Sequence, residues 1–233
     1  PAYLPSRLAA FYERAGYFKN LNGSEGSITV IGAVSPQGAD FSEPVTQNTK
    51  RFIRCFWALD RSLAYSRHYP AINWMQSYSE YDRELSDWYS LNVDPDFMKY
   101  RNEILVILRQ ENQLMEIVKL IGSDVLPDRQ KLIIDIAKVI RNGFLQQNAY
   151  HKDDTYVPLK KQFLMMKLIL KLYHRCDALV ASGIPVSKVH ETGIFEKVMS
   201  VKYEVTNDNT AAFADYEKLV DETIDSLEEA DKL

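Results

Sequence analysis

The chain has only two cysteines in 233 residues, Cys55 and Cys176, far apart and without a CxxC spacing. That scarcity argues against a disulfide framework and a thiolate zinc site. Each cysteine sits in an apolar stretch, so both are expected to be buried free thiols in a reducing compartment. No apolar run approaches the roughly 20 residues needed to cross a bilayer. The opening Pro-Ala-Tyr-Leu lacks an initiator Met, a basic n-region and an apolar h-region. It does not read as a signal peptide, and a cut inside a longer chain is expected there. Positive charge is not in excess either, since 28 Lys and Arg against 32 Asp and Glu leave −4 at pH 7. General attraction to nucleic acid or to anionic membranes is therefore not expected. Four scattered histidines build no Ser-His-Asp or Cys-His arrangement, and no GxxxxGK[ST] phosphate loop occurs. Asn22-Gly23-Ser24-Glu25-Gly26 contains glycine but precedes a strand pattern instead of opening a helix, so it reads as a turn. There is no internal repeat and no low-complexity tract.

What is present is ordinary globular composition, 46% hydrophobic and 26% charged, enough for one large domain or two small ones. Fourteen Tyr and three Trp point first to packed core and second to a stacking site. Residues 7–14 make one short amphipathic helix that Gly16 can stop. Residues 27–34, β-branched and bounded by Gly and Pro, predict a buried strand, and residues 52–59 predict another core strand. Between them, Glu43-Pro44 places proline at a first helical position. Residues 62–69 predict a short helix before Pro70.

Beyond Tyr81 the period changes to 3.6. Apolar stripes run over residues 104–121, 132–140, 163–173 and 212–227, broken by Gly122 and Gly143, and such stripes pack on one another as a bundle. The short connections 122–129 and 146–158 predict antiparallel neighbours. The chain thus divides near residue 78. Residues 1–78 are too poor in strands to stand as a sheet domain and read as the trailing end of a larger one. Residues 79–233 read as an all-helical domain.

Five blocks in order carry a resemblance: residues 26–36 continuing through 40–49, Phe56-Trp57-Ala58-Leu59-Asp60, Arg67-His68-Tyr69-Pro70-Ala71-Ile72-Asn73-Trp74, and Phe144-Leu145-Gln146-Gln147-Asn148-Ala149-Tyr150. They resemble the catalytic A subunit of V- and A-type rotary ATPases over residues 2–166, with the last 60 or so residues similar only loosely. The resemblance implies the end of an α/β nucleotide-binding domain followed by a helical C-terminal domain. It further implies a cytoplasmic subunit, peripheral to the membrane, that couples ATP hydrolysis or synthesis to proton or sodium movement by rotation. ATP or ADP with Mg²⁺ would be its ligand in the full-length protein. A neighbouring B subunit supplying an arginine finger and the central-stalk rotor subunits would be its partners. The alternatives are a non-catalytic helical module and a B-type regulatory subunit; the 36–44 and 146–150 blocks favour the A type.

ATP hydrolysis needs a phosphate loop with its lysine, Mg²⁺ ligands and a water-positioning carboxylate. By the resemblance these precede Pro1, so no catalytic residue is assigned, and the chain alone is expected to be inactive and to carry no bound nucleotide. What remains is an adenine-side wall. Tyr69 is expected on one side of the base and Tyr150 on the other, with Gln147, Asn148 and Ala149 along the edge. The family usually has Phe in both aromatic places; Tyr keeps the π face. Without the resemblance both tyrosines would read as packing residues. Gly122, Ser123, Asp124, Val125, Leu126, Pro127 and Asp128 form a turn between helices that, by likeness to F-type beta subunits, contacts the rotor through shape more than charge. Asp128 is a candidate N-cap, with Arg129 opposing Asp124 and Asp128. His151, Asp153 and Asp154 read as a solvated loop instead of a metal site, Lys160-Lys161 is too short for a nucleic-acid patch, and His68 reads as structural.

Overall fold

The computed structural model describes residues 2–231. Its contacts divide into two compact units. One runs up to Ala58 and takes in Gln76–Arg83; the other comprises Leu59–Met75 and the chain from Glu84 onward.

In the first unit, helix α1 (Leu4–Tyr12) packs on helix α2 (Pro44–Phe52). Helix α2 starts with Pro44, and the Glu43 carboxylate accepts the Thr46 N–H at 3.0 Å, which satisfies one orphan donor of the first turn. Strands β1 (Gly16–Lys19) and β2 (Glu25–Ile28) form an antiparallel hairpin in the register Gly16↔Ile28. Asn20 N–H bonds Ser24 O at 2.8 Å to close it, and Gly23 at φ +82° takes a backbone conformation that a side chain would strain. Strands β3 (Cys55–Phe56) and β4 (Tyr78–Ser79) make a second antiparallel pair.

Both strand expectations need correction. Of the predicted buried strand 27–34, only Ser27 and Ile28 lie in a ladder, and Ile31 is 81% exposed. Of residues 52–59, only Cys55 and Phe56 lie in a ladder, while Leu59 makes an isolated bridge to Ile72; Ala58 is buried, and Trp57 and Leu59 face solvent. A β-branched run becomes a core strand only where neighbouring strands and a covering layer exist. Among the described residues each run has a single short partner strand, β1 or β4, and no wider sheet. For the same reason Cys55 is exposed, against expectation, whereas Cys176 is buried and its thiol is pushed up to about 12 by loss of water.

The second unit is helical. Helix α3 (Arg61–Tyr65) is shorter than predicted and is capped by Asp60, whose carboxylate accepts the Ser62 and Leu63 N–H groups. Helix α4 (Ser86–Asn92) leads into the long helix α5 (Phe97–Ile121). Helix α6 (Asp128–Ile140) follows, and a π turn at Arg141–Leu145 ends it. Helix α7 (Leu159–Ala181), helix α8 (Val186–Glu191), helix α9 (Ile194–Glu204) and helix α10 (Phe213–Asp231) complete the unit. The predicted stripes form the core. Ile107 and Leu108 of α5, Leu132, Ile136 and Ile140 of α6, and Leu168 and Leu172 of α7 are essentially inaccessible.

The sequence periodicity does not mark helices α8 and α9. They bury Val189, Phe195, Val198 and Val201, but their 6 and 11 residues, interrupted by Gly193 at φ +71°, are too short for a clear period. Helix α10 lies along α7 through a ladder of ion pairs: Lys167–Glu217 at 2.8 Å, Lys171–Asp221 at 2.5 Å and Arg175–Asp225. Both partners advance by one helical turn at each rung, so the two helices run parallel. Asp128 is the first residue of α6, with Pro127 in the cap place and no side-chain cap bond, so the N-cap assignment fails. Arg129 does not oppose Asp124 or Asp128; it grips Asp177 of α7 through two bonds of 2.6 and 2.7 Å.

These two kinds of contact are expected to differ in weight. Replacing Ile136 by Ala should cost about 2–5 kcal/mol in denaturant unfolding, because a fully enclosed side chain leaves a cavity. Replacing Lys167 by Ala, on a solvated rung, should cost below about 1 kcal/mol.

Candidate functional site

The segments predicted to flank a base converge within the helical unit. Arg67 takes φ +59°, unusual for a residue with a side chain, and directs the chain into His68-Tyr69-Pro70. His68 N–H bonds Leu63 O at 2.9 Å, and its buried ring packs against Trp74 with centroids 5.6 Å apart. Across from this bend, the π turn releases residues 146–150. Gln147 N–H donates to Tyr69 O at 2.7 Å, and Gln146 Nε2 donates to Arg67 O at 3.2 Å. The two segments are therefore joined backbone to backbone. Tyr69 is 53% exposed, its hydroxyl donating to Ala64 O at 3.4 Å, and Tyr150 is 100% exposed. Gln147, Asn148 and Ala149 are also exposed. Gln147 Nε2 is turned to Asp154 O at 3.4 Å, and Asn148 Oδ1 accepts the Tyr150 N–H at 3.0 Å, so both amides brace their own loop.

Beneath the loop lies what sequence reasoning missed. Asp153 and Asp154 are not solvated; they are buried, Asp154 to 1% exposure. Asp154 Oδ2 accepts the Asn148 N–H at 2.7 Å, and Asp153 Oδ1 accepts the Asn207 N–H at 3.1 Å. Facing them are two lysines, Lys161 at 0% and Lys202 at 3% exposure. Lys161 Nζ donates to Asp153 O and Lys202 O, each at 3.0 Å. Lys202 Nζ donates to Asn142 O at 2.7 Å and Gln146 O at 2.6 Å, with Asp154 Oδ2 at 3.9 Å. Burial pulls both ammonium groups below the ordinary lysine value, and the aspartates oppose that pull.

A signal for these lysines did exist. Lys161 precedes buried Met165, Leu168 and Leu172 at helical spacing, and Lys202 sits among buried Val198, Val201 and Val205. A charge on the apolar face of a helix must find buried partners. Nearby, Arg141 of the π turn holds Glu111 of α5 at 2.6 Å. A cleft of about 190 Å³ lined by Phe144, Leu145, Gln147, Asp154, Val157, Gln162 and Met165 adjoins the loop. Among the described residues no group of three or more His, Cys, Asp or Glu side chains could hold a metal ion.

The turn after α5 is separate from this site in sequence. Gly122 at φ +83° ends the helix, and Leu126 N–H closes on Ser123 O at 3.2 Å. Leu126 alone is buried. Ser123, Asp124, Val125 and Pro127 are exposed, and Asp128 is half-buried with Lys131 at 3.7 Å. Leu120, Ile121 and Val125 give the tip an apolar surface. No described helix is long and apolar enough to cross a membrane.

Burial, together with positive Arg141 and Lys202, holds the His68 imidazole below its ordinary 6.5. A histidine depressed in this way binds fewer protons folded than unfolded. Its contribution is intact above pH 6.5 and declines as pH falls from there toward the depressed folded value. Melting of the protein between pH 7 and 5 should therefore steepen its loss with acidity, and His68→Gln should flatten that slope.

Comparison with known proteins agrees with this layout. Residues 1–79 match the nucleotide-binding domain of the ATP synthase alpha/beta family, and residues 86–190 match the C-terminal domain of V and A type ATP synthase. The chain is 56% identical to V-type ATP synthase alpha chain 2 of Clostridium tetani over 98% of its own length and 38% of that protein's. It is 52% identical to the V-type ATP synthase alpha chain of Halothermothrix orenii, over 97% of this chain and 39% of that one. It is 50% identical to the A subunit of the A-type ATP synthase of Methanosarcina acetivorans, over 88% and 35%. It thus spans little more than a third of the length of these relatives. Among solved structures, the ATP synthase subunit NeqB from Nanoarcheaum equitans superposes with a TM-score of 0.62 at 25% identity, covering 74% of this chain and 40% of that one. The two family models, in this order along the chain, and these relatives agree: the chain belongs to the V- and A-type ATP synthase family, alongside its alpha, or A, chains.

Proposed function

We propose that this chain acts as the C-terminal part of a catalytic A subunit, in which residues 1–78 close a nucleotide-binding domain and residues 79–233 form its helical C-terminal domain. The observation that carries the reading is the bond from Gln147 N–H to Tyr69 O, which joins two segments that each present an uncovered tyrosine. In this reading Tyr69 and Tyr150 flank adenine, while Gln147, Asn148 and Ala149 line its edge. Exposed rings suit stacking on a flat base, since a ring packed into the core has no face to offer. The sequence holds no GxxxxGK[ST] loop, so phosphate and Mg²⁺ contacts for ATP or ADP come from elsewhere in the full-length protein, and the arginine finger comes from a B neighbour. By itself the chain is inactive as an ATPase.

The Gly122–Asp128 turn is the rotor contact in this proposal. Its uncovered Leu120, Ile121 and Val125 favour apolar shape over charge, because Asp128 is engaged by Lys131. Nucleotide closure at the aromatic wall then moves the helical domain against the central stalk, coupling ATP turnover to proton or sodium movement through a membrane sector. The protein itself sits in the cytoplasm, peripheral to that sector.

In the assembled complex, Tyr150→Ala should weaken nucleotide affinity on the order of tenfold, measured by equilibrium titration with ADP. Unchanged affinity removes the ring from adenine. Val125→Asp should leave that affinity alone yet lower ATP-driven ion pumping in reconstituted vesicles. Normal pumping would detach this turn from the rotor.

A further inference from the structure

Residues 146–150 offer no side chain that anchors them in the core: Gln147, Asn148, Ala149 and Tyr150 are all exposed. The position of the Tyr150 ring therefore depends on its backbone. That backbone is held at three successive points. Gln146 O receives the Lys202 ammonium, Gln147 N–H reaches Tyr69 O, and Asn148 N–H reaches the Asp154 carboxylate. Two of the three clamps come from buried ionised groups that touch neither aromatic ring.

We propose that Lys202 and Asp154 are positioning residues for the nucleotide wall, forming a buried latch that fixes the 146–150 segment before nucleotide arrives. The inference rests on the reading of that segment as the adenine side. Its physical basis is the end of helix α6. The last carbonyls of a helix have no partner within it, and here the π turn displaces them further. Lys202 takes Asn142 O, within the π turn that continues α6, and Gln146 O, just past it, with one ammonium group. A cation is also the favoured charge at a helix C-terminus. Lys161 then ties the backbone of Lys202 to that of Asp153, so α7, α9 and the loop close into one cluster. Two lysines and two aspartates make it neutral overall, which suits a buried site. A loop already ordered loses less freedom when ligand binds, so affinity rises without any added contact. Lys202 lies beyond residues 86–190, so the latch brings in part of the chain outside that matched C-terminal domain.

The test uses the full-length protein in its complex. Amide hydrogen exchange on the unaltered protein comes first. Gln147 and Asn148 should exchange as slowly as the core of α7, and exchange as fast as an open loop overturns the latch. Lys202→Met and Asp154→Leu should each speed exchange across 146–150 about tenfold with α7 unchanged, and raise the KM for MgATP about tenfold with kcat within about threefold. Asp154→Asn keeps an acceptor for the Asn148 N–H and should restore KM to within about twofold. A purely structural role is the result if exchange rises throughout the helical unit, or if KM moves only in step with melting temperature. If exchange rises locally but neither these variants nor Tyr150→Ala change KM, the latch stands and the adenine assignment fails. If Tyr150→Ala raises KM while the latch variants leave both KM and local exchange unchanged, the latch fails and the adenine assignment stands.

Discussion

A helix that ends inside a protein leaves carbonyl oxygens that must be satisfied, and the end of α6 is where this helical unit meets that requirement. Its solution is a buried ammonium, Lys202, inserted between Asn142 O and Gln146 O. Leaving such acceptors without donors costs about 1–3 kcal/mol each. A buried cation then requires its own compensation, which explains why Asp154 lies nearby and why Lys161 and Asp153 complete a neutral group. The path of residues 141–157 follows from these bonds. The loop is pinned where its backbone can be reached and left free where its side chains project.

Around that cluster the helical unit is well supported. The facing stripes of α5, α6 and α7 enclose an apolar core, and the parallel ladder of α7 and α10 covers one side of it. The first unit has a different character. Two small antiparallel pairs and two short helices leave Ile28, Ile31 and Trp57 uncovered. Exposed apolar residues of this kind suit surfaces that other protein covers.

Much of the helical architecture was legible in the residues. Apolar positions at 3.6-residue spacing marked α5, α6, α7 and α10, Gly122 marked the turn, and Pro44 opened α2, because each signal is local. The strands were overread for a physical reason: residues 27–34 carry the preference for extended chain, but a strand is completed by partners whose presence no local pattern reveals. Asp153 and Asp154 were read as solvated for a related reason. Loop carboxylates are usually exposed, and only the arrival of Lys161 and Lys202 from distant helices permits their burial.

Of the candidate site, the sequence by itself determined the composition: two tyrosines in recognisable blocks, the polar edge between them, and the absence of a phosphate loop. These are properties of residue type and order, which one chain carries unaided. Only the tertiary structure decided that Tyr69 and Gln147 are bonded, that both rings stay uncovered, and that four charges lie beneath them. Those facts depend on pairings between residues far apart in sequence. Hydrogen bonds and desolvation act through space, so their outcome is fixed only once the helices have packed.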